Sequence, residues 1–199
     1  MNKEEVLDHA LSLKYGGMSR GELSCLYDFC KDKTVLELGS MVGMSSYVIA
    51  SVCKNISCVD IWNDTFDHVS DRQKVVYEND WVASSTSKMV DVFKLNCKVF
   101  LESGKMRMVR GETSSVCDSF ENENFDLVMI DAGHEYEEVL ADIGNYIRNV
   151  KEDGNLLFHD YGCTMWTGVS QACDEYVARG KMNLVRIDER IAIFKIEEQ

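Results

Sequence analysis

The stretch TVLELGSMVGMSSYVIA, residues 34–50, decides the fold. TVLELG reads as a buried strand, Gly39 and Gly43 bracket a turn, and MSSYVIA continues as an amphipathic helix whose N-terminus faces whatever the turn holds. The two glycines let the backbone bend sharply and come close to a ligand. Glu37 stands two residues before Gly39, at the carboxyl end of the strand. A carboxylate there repels a pyrophosphate, whereas a ligand carrying hydroxyls and a positive charge suits it.

Outward from this stretch, helical and strand patterns alternate. Val6, Leu7, Ala10 and Leu11, then Leu23, Leu26, Tyr27 and Cys30, repeat at helical spacing within residues 1–33. Strand ISCVDI (56–61) follows the first helix after the turn, and the polar, weakly patterned residues 63–85 read as a loop or lid. A helix through Met89, Phe93, Cys97 and Phe100 leads to strand MRMVR (106–110) and a short helix begun by Thr113 or Ser114. DLVMID (126–131) is a continuous apolar strand, of the kind buried on both faces. A helix marked from Tyr136 to Val150 precedes strand NLLFHD (155–160), and a helix through Val169–Val177 precedes NLVRID and RIAIFKI. The last two strands lie too close for a parallel crossover, so they form an antiparallel hairpin. The expectation is an α/β chain: a doubly wound, Rossmann-like sheet of about seven strands, mostly parallel, as a single domain over 1–199.

Composition narrows the function classes. The 199 residues carry a net charge of −13, which argues against a nucleic-acid partner, since phosphate binding needs concentrated basic surface. No apolar run approaches the ~20 residues of a membrane span, and the charged start MNKEEVLDHA does not read as a secretory signal. The eight cysteines form no CxxC pair and sit mostly among apolar neighbours, which predicts reduced buried thiols in a cytoplasmic protein. Proline is absent, for which the sequence offers no functional account.

In doubly wound sheets the ligand lies outside the carboxyl ends of the strands. The polar residues there are Glu37, Asp60, Arg110 with Glu112 just beyond, Asp131, His159 and Asp160. Asp60, about twenty residues after the glycine turn, is placed to accept both hydroxyls of a ribose, a feature of NAD and S-adenosylmethionine sites alike. A dinucleotide site wants GxGxxG, but Met41 stands where the middle glycine should be. Met41 and Glu37 together favour S-adenosyl-L-methionine over NAD.

ExGSxxGxSS, VDIW, RGET, DLVMIDAGHEYEEVLADI and LLFHDYG…GVSQACDEYV together resemble a class I S-adenosylmethionine-dependent methyltransferase. Within that class they are similar to the branch of macrocin O-methyltransferase and cephalosporin hydroxylase, over roughly residues 18–197. The resemblance implies that Glu37, Gly39, Ser40 and Gly43 line the methionine end of the cofactor, with Ser45 and Ser46 at the helix N-terminus. It implies Asp60 on the ribose, Ile61 and Trp62 against the adenine, and Gly111, Glu112 and Thr113 at the adenine edge. Asp131 then faces the methyl-transfer site.

Metal-dependent O-methyltransferases place an acidic residue after strand four and an acidic or amide pair after strand five. Asp131 with His159 and Asp160 matches that layout, so Mg2+ or another divalent ion is an open option. His134 is the preferred general base, since imidazole titrates near neutral pH, with Asp131 and His159 as the other catalytic candidates. The expected partner is a small-molecule hydroxyl acceptor, a sugar or polyphenol. Trp62, Phe66, Tyr77, Trp81 and Trp166 serve either as pocket walls or as core or dimer contacts, which leaves a homo-oligomer open. The alternatives are a non-methylating relative, hydroxylase-like or sugar-processing, and an inactive nucleoside-binding partner protein.

Overall fold

The computed structural model describes residues 1–13, 17–62 and 88–197. The expected lid at 63–85, with Phe66, Tyr77 and Trp81, lies outside the described residues. Strands β1 (Thr34–Leu38), β2 (Asn55–Asp60), β3 (Met106–Arg110), β4 (Phe125–Ile130), β5 (Val150–Phe158), β6 (Met182–Asp188) and β7 (Ile191–Ile196) form one sheet in the order β3-β2-β1-β4-β5-β7-β6. The first five run parallel, and β7 is antiparallel to both β5 and β6. The order reverses between β1 and β4, which makes their carboxyl ends the switch point where a ligand crevice opens.

The helices follow from local signals. Helix α1 (Lys3–Ser12) and helix α2 (Arg20–Phe29) each start in a capping box, Asn2 with Glu5 and Ser19 with Glu22, so two otherwise orphaned amide donors are satisfied at each start. Helix α3 (Met44–Val52) is not amphipathic as its pattern suggested: every residue from Met44 to Ala50 is buried. Its outer side is covered by α1 and α2 through Val6, Leu7, Ala10, Leu23 and Leu26, and its inner side packs on the sheet. Helices α4 (Met89–Asn96) and α5 (Lys98–Glu102) complete that layer.

On the opposite face α6 (Thr113–Val116), α7 (Tyr136–Tyr146) and α8 (Thr167–Ala178) cover Leu36, Leu38, Val128, Ile130, Leu156 and Phe158. Helix α7 stops at Tyr146, short of the expected Val150, because residues 147–149 tighten into a 3-10 turn and Val150 already pairs with Phe125. Residues 151–154 then make a tight excursion around Gly154, where a Cβ would meet Val150 at 2.7 Å, before β5 pairs again at Asn155. All eight cysteines are free thiols, and all but Cys163 are buried. Among the described residues no helix is long and apolar enough to cross a membrane.

Candidate active site

Hydrogen bonds continue across the sheet one residue past the strands. Gly111 N–H donates to the Asp60 carbonyl (3.0 Å), Gly39 N–H to Val59 (2.9 Å), Asp131 N–H to Leu38 (2.8 Å) and His159 N–H to Ile130 (3.2 Å). These bonds hold the turn after β1, the acid after β4 and the histidine after β5 side by side. The polar strand ends singled out from the sequence are thereby brought along one edge of the sheet.

The glycine turn is shaped by protein contacts. Gly39 and Gly43 both have φ +88°, where a side chain is strained. A Cβ on Gly39 would strike the Asp131 carbonyl oxygen at 2.1 Å, and one on Gly43 would meet Cys97 Sγ at 2.7 Å. The glycines expected to admit a ligand therefore also admit strand β4 and helix α4.

Glu37 is fully buried beneath the turn. Its Oε2 accepts from Ser40 Oγ at 2.7 Å and from Ser46 Oγ, while Oε1 has no hydrogen-bond partner. Burial pushes this carboxyl above its ordinary range, against the serine hydroxyls that hold it down. The Ser40 and Ser46 side chains point into Glu37, so the three together brace the turn from beneath.

Asp60 holds the same turn from the side. Its two oxygens accept from Met41 N–H (2.7 Å) and Trp62 N–H (2.6 Å), and burial raises its pKa despite those bonds. The Ser40 backbone amide also acts to hold charge on this carboxylate. Trp62, expected against an adenine, has no exposed surface. Its indole donates to the Met41 carbonyl at 2.8 Å and its ring lies 4.8 Å from that of Phe93. The reason is its backbone: φ +38° turns the chain so that the indole enters the core under the turn. Arg110 fastens the same corner, donating to the carbonyls of Ile61 (3.0 Å) and Trp62 (2.9 Å). Of the adenine-edge candidates, Glu112 is exposed, Gly111 is half-buried, and Thr113 donates to buried Asp142 at 2.5 Å.

Asp131, His134, His159 and Asp160 converge. His134 Nε2 lies 3.2 Å from Asp160 Oδ2 and 3.8 Å from Asp131 Oδ1; His159 Nδ1 lies 3.1 Å from Asp131 Oδ1 and 3.3 Å from Asp160 Oδ2. His134 packs against Trp166 at 4.7 Å between ring centres, so that candidate wall residue supports His134 itself. Gly168 at the start of α8 lets the His134 loop approach: a Cβ there would meet the His134 carbonyl at 2.5 Å.

Two residues absent from the sequence reading complete the cluster. Glu22, fully buried on α2, lies 3.3 Å from His159 Nε2. Arg190, in the β6–β7 turn, donates to Glu22 Oε1 (2.8 Å) and Oε2 (3.2 Å), to Asp160 Oδ1 (2.7 Å) and to the Gly17 carbonyl (3.1 Å). Three carboxylates thus surround two cations. Burial alone would depress the His159 pKa, but the charge of Asp131, its hydrogen bond to Nδ1, and the nearby carboxylates of Asp160 and Glu22 push it up to about 12, while Nε2 has no hydrogen bond of its own. Burial likewise opposes ionisation of Glu22, yet His159, Ser19 and Arg190 pull it down to about 2. Asp160 is held well below the usual carboxylate range by His134 and His159, against its own burial. The Ser19-x-x-Glu22 box was a legible signal for a helix start, but nothing local marks Glu22 or Arg190 as site residues.

This charge state makes His159 a donor towards the carboxylates around it. Among the described residues, donor atoms of Asp131, His134 and Asp160 all lie within 4.8 Å of one another, close enough to share a divalent ion. Their oxygen and imidazole donors fit such an ion, and His159 Nδ1, 3.1 Å from Asp131 and 3.3 Å from Asp160, stands beside the same carboxylates.

A family described as a methyltransferase domain matches residues 36–161. Among solved structures, the chain is similar to the O-methyltransferase NovP, with a TM-score of 0.70 and 14% identity over 98% of this chain and 89% of that one. It is similar to the O-methyltransferase from Bacillus cereus in complex with SAH, with a TM-score of 0.68 and 12% identity over 99% and 93% of the two chains. SAH-bound Podospora anserina methyltransferase PaMTH1 gives a TM-score of 0.66 and 15% identity over 100% and 89%. At these identities the likeness is one of fold. No curated protein matches the sequence.

Proposed function

The chain belongs to the methyltransferase domain family, and from that premise we propose that it transfers a methyl group from S-adenosyl-L-methionine to a hydroxyl of a small molecule, a sugar or a polyphenol. The observation that carries this reading is the contact between the Gly39 turn and Asp131, which sets a candidate cofactor site beside a cluster of acids and histidines. When bound, S-adenosyl-L-methionine supplies an electrophilic methyl on its sulfonium. Asp60 would accept from the ribose, and the Gly39–Gly43 backbone would line the methionine end. Glu37, Ser40, Ser46 and Trp62 hold that backbone in shape from below.

Displacement at a methyl carbon is in line, so fixing donor and acceptor supplies much of the rate. The acceptor must also lose a proton as its oxygen attacks. His134 takes that proton, and the carboxylates of Asp160 and Asp131 stabilise the imidazolium so formed. A divalent ion held by Asp131, His134 and Asp160 would instead lower the acceptor pKa and occupy His134.

Calorimetry with S-adenosylhomocysteine tests the cofactor, and no measurable affinity sinks the reading. Labelled donor offered with a panel of catechols and sugars, with and without EDTA, tests acceptor and metal together. Transfer that survives chelation selects the His134 route; transfer that EDTA abolishes and Mg2+ restores selects the ion.

A further inference from the structure

We propose that Glu22 and Arg190 are positioning residues of the reaction, a pair through which the second N-terminal helix and the C-terminal hairpin fix His159 and Asp160 from behind. The inference rests on the reading above for what the cluster does, and on geometry for the pair itself. Arg190 makes four polar contacts, two to Glu22, one to Gly17 and one to Asp160. Tyr161 N–H donates to the Arg190 carbonyl at 3.1 Å, so the loop after β5 is tied to the same turn by backbone as well.

The turn is itself docked on α2. Glu189 has φ +52° and accepts from Ser19 Oγ, and Gly21 faces the Glu189 carboxylate without a side chain of its own. Glu22 meanwhile serves two masters: its Oε2 accepts the Ser19 amide in the capping box at 2.7 Å, and its Oε1 faces His159 Nε2. The start of α2, the 189–190 turn and the loop after β5 are therefore one interlocked unit.

A buried carboxylate is retained at a cost of several kcal/mol unless a cation meets it. Satisfying the helix cap alone needs no charge, since glutamine caps as well as glutamate. The charge at position 22 is explained by Arg190 and His159. Removing either partner frees the other to seek a new contact, and the rotamers of His159 and Asp160 move with it. A displacement of about 1 Å at a reacting group costs on the order of 10²-fold in rate.

Wild type is compared with Glu22→Gln, Arg190→Gln, Arg190→Lys and the surface control Arg20→Gln, whose side chain pairs with Glu4 and Asp8 away from the cluster. Each protein is crystallised, titrated with S-adenosylhomocysteine, and assayed with labelled donor and 3,4-dihydroxybenzoate. Glu22→Gln and Arg190→Gln should bind S-adenosylhomocysteine as wild type does and lose about 10²-fold in kcat with KM unchanged. Arg190→Lys should recover part of that loss, and Arg20→Gln should match wild type. The crystals should show the His159 and Asp160 side chains displaced in both glutamine variants. The inference is overturned if His159 Nδ1 stays 3.1 Å from Asp131 and Asp160 keeps its rotamer in both. A wild type without affinity for S-adenosylhomocysteine or transfer to any acceptor sinks the proposed function instead, and the crystals still decide the pair.

Discussion

Gly39 and Asp131 touch backbone to backbone: the Cβ that Gly39 lacks would sit 2.1 Å from the Asp131 carbonyl oxygen. The Asp131 amide in turn donates to Leu38 at 2.8 Å. The turn after β1 and the acid after β4 are thus one rigid step in the sheet edge. A shift in either moves both the candidate cofactor site and the candidate proton-transfer site.

Gly39→Ala follows from that contact. The substitution adds a clash with main chain, which cannot swing aside, to a φ of +88° that alanine resists. The two together should cost on the order of 3 kcal/mol. Urea denaturation would show the lower midpoint, and calorimetry a weaker affinity for S-adenosylhomocysteine. Wild-type values in both would mean the strand ends are free to part.

Trp62 separates a brace from a stacking surface. Trp62→Phe keeps an aromatic ring against Phe93 but removes the donor to the Met41 carbonyl. A part-buried carbonyl left short of a partner costs about 1 kcal/mol. The melting temperature should fall, and affinity for S-adenosylhomocysteine should fall by a comparable free energy through the loosened turn. Unchanged stability with cofactor affinity lost would instead put the indole on the adenine.

His134 carries the proton in the proposed reaction. His134→Gln should lower kcat by about 10²- to 10⁴-fold, the range of general-base contributions, and leave S-adenosylhomocysteine binding intact. Activity that survives both His134→Ala and Asp131→Ala towards an identified acceptor would end the assignment. Binding without any activity in wild type would point to the nucleoside-binding alternative.

The sheet was legible because each strand carries its own boundary signals: the apolar run of DLVMID, the glycines around residues 39–43, and the short gap that forces NLVRID and RIAIFKI into a hairpin. Strand ends then named Asp60, Asp131, His159 and Asp160 as neighbours, since topology alone brings them together. Side-chain direction was not legible. Glu37 lies in β1 and Trp62 follows β2, yet both point under the turn, because two serines and Phe93 offer partners there. Glu22 and Arg190 were invisible for a different reason. One sits in an ordinary helical first turn and the other in a hairpin turn 168 residues away, and only tertiary packing shows that they meet.

Asp142 gives the clearest pH dependence. It is 3% exposed, and burial pushes its carboxyl up from the ordinary 3.8 to about 6, helped by Glu138 and opposed by the Thr113 hydroxyl. A folded-state pKa above the unfolded value means that the native protein holds the proton more tightly. The resulting stability is fully present below about pH 3.8 and is lost as pH rises through about 6, a total of about 3 kcal/mol. Asparagine keeps the acceptor for Thr113 and has no proton to lose. Asp142→Asn should therefore pull ahead of wild type in stability between about pH 4 and pH 7, by up to about 3 kcal/mol at neutrality. Carboxylates held low, such as Glu22 and Asp126, titrate in the opposite sense, but they are common to both proteins and cancel in the difference. Urea denaturation of the pair at half-unit pH steps reads that difference directly, and stability curves that stay parallel across the window would show that Asp142 is ionised without penalty.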